Sequence, residues 1–312
     1  MLGKIALSSI SQTGKTSHNV EGSTKLQEAL IESLGGDRAK GGYPKAGDKF
    51  RSSGLGKMCP RMYALAQQNK ICLDLDVDSR LAWVFGTGHA IHHQFQSDYL
   101  SSLGNVFQGW WRKVSTGKIV KGAEIQRNQL RVPFDSDEPS VSDYSDIEMD
   151  ACLSHSWIPK PTDGTYDYVE LEFKRERFSG HCDGVLVWGD STEILELKTI
   201  SSRGFNWVDP ASGYGPKAEH ILQVHAYMWM TGLDRSRIVY IDKDMNKPVG
   251  KAMIEHVVQR DEAVVDTVKK LVEDCMEAVD TGKMFEPLSE CSSKSVTRAK
   301  YCPTCTECFK AR

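Results

Sequence analysis

Apolar positions in this chain follow two rhythms, helical toward the two ends and strand-like in the middle. Residues 1–50 are rich in Gly, Ser and Lys. The one helix expected among them covers 23–34, where Thr24 and Gln27 form a capping box and Gly35-Gly36 ends the run. In "GKMCPRMYALAQQN", Pro60 suits the first position of a helix, with Cys59 at its cap. A further helix is expected over 81–100, where Ile91, Phe95 and Tyr99 recur every four residues; it carries His89, His92 and His93. From Ala123 the period becomes two, which predicts strands at 124–132, 150–155 and 168–178. "GHCDGVLVWGDSTEILELK" reads as two strands turning at Gly189-Asp190, with Asp183 opening the first and Glu196 late in the second. Because side chains alternate along a strand, Glu196 and Lys198 share one face and Leu195 and Leu197 the other. A helix over 217–232, a strand over 237–243 and a long amphipathic helix over 261–280 complete the pattern, with no internal repeat.

At 312 residues, 40% hydrophobic and 26% charged, the chain has material for a full core, as one large domain or as one domain with appendages. No stretch approaches the roughly 20 apolar residues of a membrane span, and "MLGKIALSSISQTGKTS" lacks a long apolar run with a cleavage site. A soluble protein inside the cell, with no membrane partner, is expected. Nine cysteines in such a compartment point to reduced thiols or metal ligation rather than disulfides. The net charge of −3 is uneven. Seven carboxylates (Asp135, Asp137, Glu138, Asp143, Asp146, Glu148, Asp150) and no Lys or Arg fall between Val132 and Asp150, so the remainder carries +4 (−3 less −7). A basic groove elsewhere is compatible with that balance, and the acidic run is expected to be a solvated loop or flap between strands. "TGKTS" is no phosphate loop, because the first glycine of that motif would fall at Ser9.

The chemistry concentrates in the central strands. A lone Glu-x-Lys usually marks only a solvated strand face, but Asp183 lies 13 residues before Glu196, on the partner strand, where the turn brings both acids toward one cation. Hard divalent cations prefer oxygen ligands, and a phosphodiester supplies more of them. Lys198 would then stand beside the scissile phosphate, orienting water or offsetting charge. "EHILQVHAYMW" adds Gln223 and Tyr227 on one helical face, a pair that alone is more often surface than site. "FGTGHAIHHQF" adds a Gly88-x-x-x-His92 step; three histidines in five residues leave the choice among them open, and a lone helical His is more often structural.

Taken in order, these motifs resemble those of a RecB-like nuclease of the PD-(D/E)XK superfamily, over residues 59–308. The resemblance implies an α/β (α+β) fold, a restriction-endonuclease-like mixed central sheet flanked by helices, in a nuclease domain over 51–312 that contains the acidic insertion 132–150 and a cysteine cluster at 291–308. It implies that His92, Asp183, Glu196 and the backbone carbonyl of Leu197 bind Mg2+ or Mn2+, that Lys198 is catalytic, and that Gln223 and Tyr227 help hold the DNA.

"YCPTCTECFKAR" spaces Cys302, Cys305 and Cys308 two residues apart, a pattern that curls thiolates around one metal centre and is hard to read as core packing. Cys59 is the natural fourth ligand, and "CPR" before a helix resembles the first cluster cysteine of the iron-sulfur branch of the same superfamily, which includes a CRISPR-associated exonuclease and helicase-linked exonucleases. The resemblance implies a 4Fe-4S cluster clipping the chain ends together. The last spacing is shorter than in that branch, Cys291 stands close enough to substitute, and tetrahedral Zn2+ is the alternative. Cys72, Cys152, Cys182 and Cys275 read as ordinary buried thiols.

The expected function is a metal-dependent DNA exonuclease acting on single strands or DNA ends in recombination, repair or phage DNA metabolism, in the cytoplasm of a bacterium or phage-infected host. The alternatives are a non-catalytic zinc-containing nucleic-acid-binding module and a nuclease subunit of a CRISPR-adaptation or helicase-nuclease assembly. Any helicase, single-strand-annealing protein or further copy would be a separate chain, since no helicase motif is present. Trp110, Trp111, Trp207 and Tyr214, in expected loops, are placed to stack bases or simply to pack. Lys174, Arg175, Arg177 and Arg203 are placed to meet phosphates or to line a solvated face.

Overall fold

A computed structural model of the chain describes residues 49–73, 79–121, 157–244, 246, 248 and 251–310. The helix expected at 23–34, the strands expected at 124–132 and 150–155, the acidic run and Cys152 lie outside the described residues. Strand β1 (Phe50–Arg51) leads through a 3-10 turn (Ser52–Lys57) into α1 (Pro60–Asn69). Helix α2 (Ser79–Gln94) continues as a π turn (Phe95–Tyr99) and a 3-10 stretch (Leu100–Val106) into β2 (Phe107–Lys113). Strands β3 (Ile119–Val120), β4 (Ile158–Pro159), β5 (Tyr166–Val169), β6 (Leu171–Arg175), β7 (Phe178–Cys182), β8 (Gly184–Trp188) and β9 (Ser191–Ile200) follow. Next come α3 (Ser202–Val208), α4 (Ala218–Thr231), β10 (Arg235–Asp242), β11 (Met253–Gln259), α5 (Glu262–Thr281), α6 (Thr297–Lys300) and α7 (Cys305–Lys310).

Among the described residues the strands form two sheets. One runs β11-β10-β9-β8-β2-β3, with β4 and β5 also pairing to β2; the other runs β1-β7-β6. The large sheet is mixed, because β9 and β10 are parallel while β8 pairs antiparallel with β9 and with β2. A parallel neighbour needs a crossover, and α3 and α4 supply it. The β8–β9 hairpin closes at Gly189, whose φ of 56° suits the first residue of a tight two-residue turn. Its register pairs Gly184 with Leu195, setting Asp183 at the mouth of β8 against the middle of β9.

Both faces of β9 are covered, as its alternation predicts. Ile194 packs with Val224, Tyr227 and Met228 of α4 and with Val268 and Val272 of α5. Leu195 and Leu197 pack with Phe107, Trp111 and Leu186, a layer closed by Ile91 of α2 and Phe95 of the π turn. Burial of each such side chain contributes about 1.5–3 kcal/mol, so the acids of β9 are held by a strand anchored on two sides. α4 and α5 match their expected spans within a residue, because lone glycines end them: Gly232 and Gly282 take φ of 73° and 69°.

Several expectations fail for identifiable reasons. Trp110 and Trp111 lie on β2, not in a loop. Trp111 is fully buried on one face and Trp110 packs against the other layer, so a strand covered on both sides loses the period-two pattern. Trp207 sits on α3 rather than in a loop, and β11 was not anticipated. The single strand expected at 168–178 is three pieces. It breaks at Glu170 and again at a two-residue hairpin where Glu176, not a glycine, takes φ of 51°. Cys72, expected to be buried, is exposed.

Candidate active site

Asp183, Glu196, Lys198, Gln223, Tyr227 and His92 converge from β8–β9, α4 and α2. Asp183 leaves β7 at the bend before Gly184. An added Cβ at Gly184 would come within 2.3 Å of Phe107, so only glycine lets the chain turn there. The Asp183 carboxylate is fully engaged: Oδ2 accepts from the Leu197 amide (2.7 Å), and Oδ1 accepts from Gln96 Nε2 (3.0 Å) and lies 3.0 Å from His92 Nδ1. Gln96 also donates to the Asp183 carbonyl at 3.1 Å. Sequence reasoning missed Gln96, although its position four residues after His92 on one helix was a usable signal. Helix α2 passes β9 at Gly88, where an added Cβ would make ordinary contact with Thr199 Oγ1 at 3.4 Å. His92 is the half-buried histidine; His89 and His93 are exposed.

Glu196 and Lys198 pair on the face of β9 turned to α4, with Lys198 Nζ 2.5 Å from Glu196 Oε1. Gln223 spans the pair: its Nε2 donates to Glu196 Oε1 (2.9 Å) and to Tyr227 Oη (2.7 Å), and its Oε1 accepts from Lys198 Nζ (2.9 Å). Tyr227 Oη donates in turn to the His181 carbonyl at 2.5 Å. Tyr227 comes this close to β7 because position 180 is glycine; a Cβ there would lie 2.5 Å from the Tyr227 ring and 2.3 Å from Ser52 Oγ.

Burial pushes the Glu196 carboxyl up to about 7, opposed by the Lys198 charge and aided by Asp183. Lys198 is buried too, which works against its charge, yet Glu196 and Asp183 more than compensate and hold it protonated. His92 behaves likewise: burial lowers its pKa, the Asp183 hydrogen bond and charge raise it, and the net direction is upward. Glu196 Oε2 is buried and has no hydrogen-bond partner. An orphaned carboxylate oxygen beside a second acid is the observation a hard cation fits, since burying an unsatisfied acceptor costs free energy and coordination removes that cost. As placed, no three His, Cys, Asp or Glu side chains among the described residues stand close enough to cage a metal ion. Glu170, also missed from sequence, is near enough to Asp183 for that charge, after burial, to raise its pKa.

The cysteines gather where the C-terminal segment meets the start of α1. Cys59 caps α1, and the C-terminal segment folds back onto it. Arg298 donates to the carbonyls of Gly56 (3.0 Å) and Met58 (2.8 Å), and Arg61 donates to the Phe285 carbonyl (2.8 Å) and to Cys308 Sγ (3.3 Å). Cys59, Cys291, Cys302, Cys305 and Cys308 are all half-buried and unbridged. Burial raises the Cys59 thiol, with Cys302 adding to the rise and Arg298 opposing it; Cys291 is raised by burial and by Cys302 and Cys308, again against Arg298. Guanidinium groups stand near three of these thiols, Arg61 at Cys308 and Arg298 near Cys59 and Cys291, but as placed no three of the five are close enough to hold one metal ion. Cys182 and Cys275 are buried in the core, with Cys182 Sγ turned to the Gly184 carbonyl.

Of the cations expected to meet phosphates, Lys174 pairs with Glu172, Arg177 with Asp280, and Arg175 lies 4.6 Å over the Trp229 ring. No helix of the described residues is long and apolar enough to cross a membrane.

No protein-family model matches the chain, and no curated protein matches it. Among solved structures it is similar to the alkaline exonuclease of Laribacter hongkongensis at 19% identity and a TM-score of 0.31, covering 36% of this chain. The match spans 57% of that enzyme's length. It is also similar to a phage-related exonuclease from Haemophilus somnus (18% identity, TM-score 0.33, 74% of this chain and 93% of that one). A third similarity is to the protein SSO0001 (15% identity, TM-score 0.37, 91% of this chain and 93% of that one).

Proposed function

We propose that this chain is a metal-dependent deoxyribonuclease, an exonuclease acting on single strands or DNA ends. The observation that carries the reading is the buried Glu196 carboxylate, one oxygen unpartnered and the other shared with Lys198, set beside Asp183. Asp183, Glu196, His92 and the Leu197 carbonyl would hold Mg2+ or Mn2+, which when bound supplies Lewis acidity at the phosphate and acidifies a bound water. The chain's own contribution is positional. Leu197 N and Gln96 fix the orientation of Asp183, and Gln223 fixes Glu196 and Lys198 relative to each other. Lys198, kept charged by its acidic neighbours, offers an ammonium group to the negative charge that grows on a phosphate under attack. Tyr227, whose hydroxyl stays protonated because it is buried, locks Gln223 from behind.

The half-buried thiols Cys59, Cys302, Cys305 and Cys308, with Cys291 as a substitute, would hold a 4Fe-4S cluster, or Zn2+ in its place. Support comes from Arg61 donating to Cys308 and from Arg298 beside Cys59 and Cys291. Its role would be structural, holding the C-terminal segment against the start of α1. A helicase or annealing protein, or a CRISPR-adaptation assembly, would act through a separate chain.

The test is degradation of end-labelled single-stranded and duplex DNA by anaerobically purified protein in Mg2+, Mn2+ or EDTA, with the 400 nm absorbance and metal content of the same sample. Cation-dependent cleavage that falls at least about 100-fold in Lys198→Ala is expected, from a brown protein. A colourless, zinc-containing wild type that binds DNA and cleaves none would replace this reading with a non-catalytic binding module.

A further inference from the structure

Helix α3 begins just past the end of β9, four residues after Lys198. Phe205 and Val208 drop into the core, and His256 Nε2 lies 2.8 Å from the Val208 carbonyl, so the helix is fixed at its far end. Trp207 on the same helix stays 56% exposed. Asp209 then caps a 3-10 turn (Pro210–Ser212), accepting from the Ala211 amide at 3.0 Å, and Gly213 reverses the chain with φ of 77°. This turn brings Tyr214, 65% exposed, back beside Trp207, the rings stacked at 5.8 Å with 21° between their planes. The two rings and the cations Arg203 and Lys217 line a cavity of about 530 Å³ that no carboxylate lines. Neither Arg203 nor Lys217 forms an ion pair among the described residues.

Two large aromatic rings left in water beside unpaired cations, on a helix anchored by other residues, are not required by the core. Stacking on aromatic faces combined with phosphate-tracking cations is how single strands are held without sequence preference. Position adds to this. The cavity is bounded on one side by the end of β9, which carries Glu196 and Lys198, and on the other by Lys217 at the cap of α4, which carries Gln223 and Tyr227. We propose that the Trp207–Tyr214 cavity is a nucleobase-stacking subsite for a single DNA strand whose phosphate lies at Lys198. The location of the phosphate rests on the nuclease reading above; the stacking itself does not.

The experiment compares the affinity of the full-length protein, in EDTA, for a fluorescently labelled oligo(dT) strand and for an abasic strand of the same length. Wild type is expected to favour oligo(dT) by about tenfold or more. Trp207→Ala and Tyr214→Ala, both at exposed positions that leave the core intact, are expected to bind the two strands alike, and Trp207→Phe to keep the preference. Arg203→Ala is expected to weaken both strands equally and to lower the salt slope by about one. Equal binding of both strands by wild type, or a preference surviving in both alanine variants, overturns the proposal. Cleavage in Mn2+ is scored on the same preparations. Cleavage without base preference removes the stacking site and leaves the nuclease; base preference without cleavage removes the nuclease and leaves a single-strand-binding cavity.

Discussion

His220 shows how one buried side chain ties the candidate site to the stability of the fold. Its Nδ1 lies 2.7 Å from Tyr240 Oη, which already accepts from the Lys217 amide at 3.1 Å. A neutral imidazole with Nδ1 bare can accept the tyrosine proton across that distance. Burial, followed by the Lys198 and Lys217 charges, pushes His220 from 6.5 down to about 3. The unfolded chain takes up a proton near pH 6.5 that the folded chain refuses. The contribution is thus complete above pH 6.5 and is lost as pH falls toward 3. By pH 5 the loss is on the order of 2 kcal/mol. Denaturant midpoints at pH 7 and pH 5 should fall further apart for wild type than for His220→Gln; equal shifts in the two proteins would show that His220 titrates normally.

At the scale of elements, the sequence was readable where one local rule had no competitor. The acids of β9, the hairpin at Gly189 and the ends of α4 and α5 follow from alternation, a glycine turn and glycine caps. The candidate site was legible because its residues sit on those elements; Gln96 and Glu170 were not, since each acts through contacts that folding creates between distant segments. β2 was hidden by burial on both faces, and β6–β7 by a turn without glycine. That turn makes its own prediction. Glu176 holds φ of 51°, a region that costs a residue with a Cβ about 1–2 kcal/mol. Glu176→Gly should recover about 1 kcal/mol of that, since glycine also loses more freedom on folding, and raise the denaturation midpoint with DNA cleavage unchanged. A lower midpoint would mean that the Glu176 side chain contributes more than its backbone costs.

At the scale of the whole molecule, the two candidate centres meet at a single turn. Ser52–Lys57 is held from the C-terminal side by Arg298, which takes up the carbonyls of Gly56 and Met58. Its other side presses on α4: an added Cβ at Gly56 would lie 2.6 Å from that of Glu219, and the space above Gly180 is shared by Ser52 and the Tyr227 ring. Tyr227 positions Gln223, and Gln223 positions Lys198. A continuous line of packing contacts and hydrogen bonds thus joins the C-terminal clasp to Lys198. Arg298→Ala removes two hydrogen bonds from a charged donor, a loss of about 1–3 kcal/mol. Amide exchange should quicken at 52–58 and at 219–227 while β10 and β11 keep their protection, and cleavage should fall without a change in cation preference. Lys198→Ala provides the contrast, abolishing cleavage while leaving exchange at 52–58 unaltered. Exchange that quickens in Arg298→Ala only at 297–310 would show that the clasp and the carboxylate site are mechanically independent.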